Sequence, residues 1–164
     1  MQALVIKDAE VTDYPQICDL NEQHVQHTSA MDLSRLAQLA AWSCYFKVAC
    51  TGTTVRAFLL AMDDRSAYPN ENFAWFKQRY ASFVYVDRIV VSSQTHGLKL
   101  GSRLYEDLIA YARTRAIRAV TCEYNIVPTN EPSQRFHGKF GFTEQGTQWL
   151  DEGKKCVSLQ VLTL

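Results

Sequence analysis

The sequence predicts an α/β (α+β) domain, a mixed sheet of about seven strands with helices on both faces. Three observations lead there. Apolar residues recur with period 2 in some segments and with period 3.6 in others, and the two kinds interleave along the chain. A long Val-rich strand, a glycine loop, an amphipathic helix and a second strand follow one another as a βαβ unit, whose strands should be parallel and whose crossover right-handed. The length of 164 residues suits one compact domain over 1–164, and its 47% apolar content is ordinary for one.

The elements can be taken in order. "ALVIKDA" alternates as a first strand. Asp13 suits the cap of a helix from Tyr14 to about His27, with Ile17, Leu20, Asn21 and His24 on one side. Asp32 opens a second, short helix through "LSRLAQLAAW". "CYFKVAC" and "TVRAFLLAM" form a hairpin across "TGT". "DDRSAYPNEN" reads as a polar loop and "FAWFKQRY" as a short aromatic helix. "SFVYVDRIVV" reads as a central strand. Period-2 alternation in it puts Asp87, Ile89 and Val91 on one face. The loop "QTHGLKLG" leads into a helix ending near Arg115, with Leu100, Leu104, Tyr105, Leu108, Ile109 and Ala112 at helical spacing. "RAVTCEYNIV" is the next strand. Pro132 suits a first helical turn and Gly141 a stop, so a short helix spans Glu131 to Phe140. "FTEQGTQW" and "KKCVSLQVL" close the chain as strands joined through "DEGK".

Composition narrows the function. Seventeen basic and seventeen acidic residues give no net charge, which argues against nucleic acid as a partner. The five cysteines are odd in number and contain no C-x-x-C pair, so reduced thiols in the cytoplasm fit better than a disulfide scaffold. No apolar run approaches the ~18 residues of a membrane span, and the first residues lack the pattern of a signal peptide. His24 and His27 sit three apart without an evident third ligand, so no metal is expected. Cys122 reads as core. The aromatic residues Phe73, Trp75, Phe76, Tyr80, Phe83 and Tyr85 also read as core, or with Trp42 and Tyr45 as the wall of an acceptor pocket.

The glycine loop is neither a Walker A motif nor a dinucleotide fingerprint, because its spacing is G-x-x-x-G. At the start of a helix it still has what a phosphate needs: free N–H groups, the positive end of the dipole and a tight turn. Gln94-x-x-Gly97-x-Lys99-x-Gly101 after "VDRIVV" resembles the Q/R-x-x-G-x-G/A loop of the GNAT superfamily (GCN5-related N-acetyltransferases), with Lys99 in place of the second small residue. Downstream, Asn130, Ser133, His137 and Gly141-Phe142 stand at the spacing of that family's later motif, with His137 at its Tyr position. The order of elements is similar over nearly the whole chain. "VDRIVV" and the terminal "GKK-x-V" resemble a bacterial branch of the family.

The resemblance implies a mostly antiparallel sheet with a parallel acetyl-CoA-binding core. It implies acetyl-CoA as cosubstrate and the primary amine of a small molecule or peptide as acceptor. The pyrophosphate would take the loop amides of His96, Gly97, Leu98, Lys99, Leu100, Gly101 and Ser102, with Gln94 beside them. The pantetheine arm would lie along the main chain of Ile89, Val90 and Val91, like an added strand. An alkyl amine must lose a proton before it attacks, and Asp87 and Glu123 are rival bases for that step. His137 would either protonate the departing thiolate or only contact the cofactor. Asn130 and Ser133 would meet the CoA arm, and Asn130 also suits an N-cap. By analogy with such folds the last strands are candidate contacts of a homodimer. A non-catalytic acyl-CoA-binding or sensing module is the alternative to an enzyme.

Overall fold

The computed structural model describes residues 2–95 and 97–164. Seven strands form one sheet: β1 (Leu4–Asp8), β2 (Tyr45–Thr51), β3 (Thr54–Asp63), β4 (Val84–Val91), β5 (Ala119–Val127), β6 (Thr143–Leu150) and β7 (Lys155–Thr163). Their order across the sheet is β1-β2-β3-β4-β5-β7-β6. Every neighbouring pair is antiparallel except β4 and β5. Five helices cover it: α1 (Tyr14–Glu22), α2 (Leu33–Trp42), α3 (Glu71–Lys77), α4 (Leu100–Thr114) and α5 (Glu131–Phe140).

Each face of the sheet has its own core. On one, Ile17 and Leu20 of α1, Leu36 and Leu39 of α2, and Phe73 and Phe76 of α3 pack on Phe58, Leu60, Phe83 and Tyr85. On the other, Leu100, Leu104, Tyr105 and Leu108 of α4 pack on Ala57, Leu59, Val84, Val86 and Val120. Each fully buried large side chain contributes about 1.5–3 kcal/mol by leaving water, which holds helices to both faces. The aromatic group of the first half is therefore core, as its composition suggests. Tyr45 turns instead to the α4 face, where its hydroxyl donates to Asp107 at 2.7 Å beside Lys47 Nζ at 2.8 Å. Burial alone would raise the Asp107 carboxyl, but these hydrogen bonds outweigh it and hold it below its ordinary value.

Three expectations need correction. First, α1 ends at Glu22 rather than near His27, and residues 23–27 continue as turns with i→i−3 bonds such as His24 N to Asn21 O. The cause is Asn21, fully buried, whose amide donates to Ser29 O at 2.9 Å and draws the chain back over the helix end. Second, α3 starts at Glu71, because Asn70 Oδ1 accepts from the amides of Asn72 and Phe73. Third, Asp87 does not share a face with Ile89 and Val91. Val86 pairs with Ala61 and Arg88 with Leu60, so Asp87 is the extra residue of a β-bulge. The bulge resets the alternation: Tyr85 and Val90 lie in one core, while Val86, Ile89 and Val91 lie in the other. Asp87 and Arg88 both end up on the α1–α3 face.

The parallel pairing of β4 with β5 is short. It consists of Val84 with Val120 and Tyr85 with Thr121. Beyond those two rungs the strands part, and a wedge opens between them.

Candidate active site

The wedge continues into a cleft of about 710 Å³, a size suited to a small-molecule site. Its walls are β4 from Val86 to Val91, β5 from Cys122 to Asn125, the first turn of α4, and Asn130, Ser133 and His137 at the start and middle of α5. From Asp87 to Val91 β4 pairs with β3 on one side only, so its other edge presents main-chain groups to the cleft. An extended chain of amides could add there as a strand does.

At one end of the cleft is the N-terminus of α4. Side chains cap α2, α3 and α5, through Asp32, Asn70 and Asn130; among the described residues none caps α4, nor α1, where Asp13 does not make the expected cap and instead accepts from Glu10 N. Its first amides are thus left for an anion, at the positive end of the dipole. Lys99 occupies the N-cap position with φ 52° and ψ 42°. A left-handed conformation costs a residue with a side chain about 1–2 kcal/mol, which is why the corresponding place suits a small residue. The two glycines serve different ends. Gly97 has φ +83° and open space around it, so its constraint is the turn. A Cβ on Gly101 would lie 3.1 Å from Phe136, so its constraint is the close approach of α4 and α5.

At the other end are two carboxylates. The Asp87 side chain is 5% exposed and engaged on both oxygens, by Tyr68 Oη at 2.6 Å and by Arg88 Nε at 2.8 Å. Glu123 projects from β5 to the same face and accepts from Tyr85 Oη at 2.7 Å. Burial pushes its carboxyl up to about 7, with the negative Asp87 adding to the rise and the Tyr85 hydrogen bond opposing it.

His137 is buried within α5. Its Nδ1 meets Ser133 O at 2.8 Å, an acceptor only, so that nitrogen carries the proton. Nε2 then accepts from Tyr105 Oη at 2.7 Å. Burial lowers the pKa of the ring, and a neutral imidazole satisfies both contacts. Asn130 Oδ1 accepts from Ser133 N at 3.3 Å, so it caps α5 and lines the cleft together.

Of the residues singled out from sequence, Asp87, Ile89, Val90, Val91, Lys99, Leu100, Gly101, Ser102, Glu123, Asn130, Ser133 and His137 meet at this cleft. Gln94, Gly97 and Leu98 are exposed at the loop outside its walls, and His96 lies outside the described residues. Trp42 and Tyr45 are not among the lining residues, whereas Tyr68, Arg88, Tyr105 and Tyr124 are. Arg88 adjoins Asp87 in sequence and Tyr105 was legible only as a core position. Neither carries a spacing signal that marks a site. Among the described residues no three His, Cys, Asp or Glu side chains cluster as metal ligands, and no helix is long and apolar enough to cross a membrane.

Comparison with known proteins settles the family. The model of the acetyltransferase (GNAT) family matches residues 12–142, most of the chain. The chain belongs to the GNAT family. It is therefore an acetyltransferase that uses acetyl-CoA. Among solved structures, Ard1 from Thermoplasma volcanium superposes with a TM-score of 0.79 at 13% identity, over 99% of this chain and 98% of its own. The ribosomal-protein-alanine N-acetyltransferase of Brucella melitensis gives 0.72 at 20% identity, over 98% and 99%. YncA from Salmonella typhimurium, solved with its cofactor acetyl-CoA, gives 0.70 at 21%, over 99% and 94%. At these identities the likeness is one of fold. No curated protein matches the chain as a relative. The GNAT fold accounts for the seven-stranded sheet, the single parallel pair and the flanking helices.

Proposed function

We propose that this GNAT protein acetylates the primary amine of a small molecule or peptide by direct attack of the amine on the acetyl-CoA thioester, with Glu123 as the base. The observation that carries the reading is the parting of β4 from β5 after Tyr85 and Thr121, which leaves the Asp87–Val91 edge open with Glu123 facing it. Acetyl-CoA supplies the acetyl group as a thioester. The chain supplies the rest. The uncapped amides of Leu100, Gly101 and Ser102 and the Lys99 ammonium hold the pyrophosphate. The β4 main chain at Ile89, Val90 and Val91 orients the amide arm, and an amide of the same edge donates to the thioester oxygen as charge develops on it.

Glu123 takes a proton from the ammonium, the neutral amine attacks the thioester carbon, and as the C–N bond forms and the C–S bond breaks the second amine proton passes to the departing thiolate or to solvent. A carboxylate with a pKa of about 7 is half ionised near neutral pH, which suits a base better than an ordinary carboxylate. Asp87 is the weaker candidate because both its oxygens are occupied; its role is to fix Arg88 and Tyr68. The thiolate, with an ordinary pKa of ~8.5, leaves without an obligatory acid. His137 has both ring nitrogens engaged, so its role here is to shape the CoA wall with Tyr105.

Calorimetry with acetyl-CoA followed by thiol release over an amine panel tests this. Binding together with amine-dependent thiol release is expected. Absence of binding at about 1 mM acetyl-CoA would sink the reading.

A further inference from the structure

The transfer chemistry leaves one buried charged group in the cleft without a task. Arg88 is 7% exposed and lies beside Asp87, and it lines the same cleft as Glu123, the last β4–β5 rung at Tyr85 and Thr121 lying two residues before Asp87 and Glu123. A guanidinium has five N–H donors. Nε donates to Asp87 at 2.8 Å, and Nη1 donates to Asn21 Oδ1 at 3.2 Å and to Ser29 O at 3.0 Å. The two donors of Nη2 have no partner among the described residues. Among the described residues no buried polar side-chain atom is left unpaired, so Nη2 is not sealed in the core, and Arg88 lines the cleft. A guanidinium held rigidly on three donors with two left facing a pocket is arranged to receive an anion. Arg35 and Lys155 add positive charge to the same walls.

We infer that Arg88 is the specificity residue of the acceptor site, and that the acceptor is a small amine bearing a carboxylate or comparable anionic group. Its anion bonds Nη2 while its amine faces Glu123. Both groups line one cleft just past the last β4–β5 rung, where the strands begin to diverge from their ~4.8 Å spacing, so a short, amino-acid-sized molecule suits the span better than a protein chain. Asp87 holds the guanidinium plane and does not block the two outward donors. The inference rests on the transferase reading.

The test uses matched pairs: free α- and ω-amino acids, their carboxamides, and tripeptides with free N-termini, each assayed with acetyl-CoA for thiol release. The acid of at least one pair is expected to exceed its carboxamide in kcat/KM at least tenfold. Arg88→Gln is expected to erase that preference while the acetyl-CoA Kd stays within about twofold, and Arg88→Lys to keep part of it. If Arg88→Gln fails to fold, the wild-type pairs decide alone. Equal rates within every pair, tripeptides faster than any small acid, or no reaction with any acid would each overturn the inference. Turnover of uncharged amines would then leave the transferase reading intact. No acetyl-CoA binding at all would overturn both.

Discussion

Burial and the neighbouring Asp87 both favour the neutral form of Glu123, and this has a stability consequence as well as a kinetic one. Its folded pKa of about 7 stands above the ordinary 4.5, so the native state keeps a proton that the unfolded chain releases between those values. The stabilisation is complete below pH 4.5 and is lost as pH rises through 7. Glu123→Gln removes the titration. It should make the unliganded protein more stable relative to wild type at pH 8 than at pH 5, by on the order of 3 kcal/mol, read from urea midpoints at the two values. The same variant should lower kcat about 10²–10⁴-fold, whereas wild-type kcat/KM should climb through pH 7. A variant that retains full activity would return the base to Asp87 or to water. His137 makes a different prediction. His137→Phe leaves the buried Tyr105 hydroxyl without its acceptor, at a cost of about 1–3 kcal/mol. Adding Tyr105→Phe should restore much of that loss in a thermal melt, and neither change should move the pH–rate profile. A shifted alkaline limb in His137→Phe would show that the ring transfers a proton.

At the scale of elements, the packing of β6 rests on one close approach. A Cβ on Gly146 would stand 2.7 Å from Trp75 Cζ2, and Arg79 stacks on that indole at 4.0 Å. Gln148 Nε2 also donates to Asn72 Oδ1 at 3.0 Å, so α3 and β6 hold each other across the sheet edge. Gly146→Ala should cost about 1–3 kcal/mol, seen as a lower melting temperature; Trp75→Ala in the same chain should relieve part of the strain. No change in stability for Gly146→Ala would mean that the indole moves freely.

The elements also show what sequence conveys and what it withholds. Asp32 and Pro132 with Gly141 marked α2 and α5 because capping and turn chemistry are local. The early end of α1 was hidden, since it depends on Asn21 reaching Ser29 and Arg88, contacts distant in sequence. Asn70 carried a signal for the start of α3, but it sits in a string of polar residues with several other candidate caps. The bulge at Asp87 left no trace, for no glycine or proline marks it. Half of the site was legible through the spacing of the loop and of Asn130 to Gly141. The Arg88 and Tyr105 contributions were not, because each depends on which face a side chain takes.

For the molecule as a whole, the parted strands make a prediction about exchange. Alternate amides between Asp87 and Val91 lack a ladder partner on the β5 side. They should exchange with solvent faster than their neighbours bonded to β3, and gain protection when acetyl-CoA is bound. The ligand should also stabilise the fold by about 2.7 kcal/mol at a hundredfold excess over Kd. Stabilisation without added protection on β4 would place the CoA arm elsewhere.

The two rungs at Val84–Val120 and Tyr85–Thr121 have one more consequence, a mechanical one. The order of strands sets β1 and β7 on opposite sides of this joint. Tension applied between β1 and β7 must therefore cross it. The sheet resembles an open book, with four strands on one page and three on the other, and it would tear first along the spine.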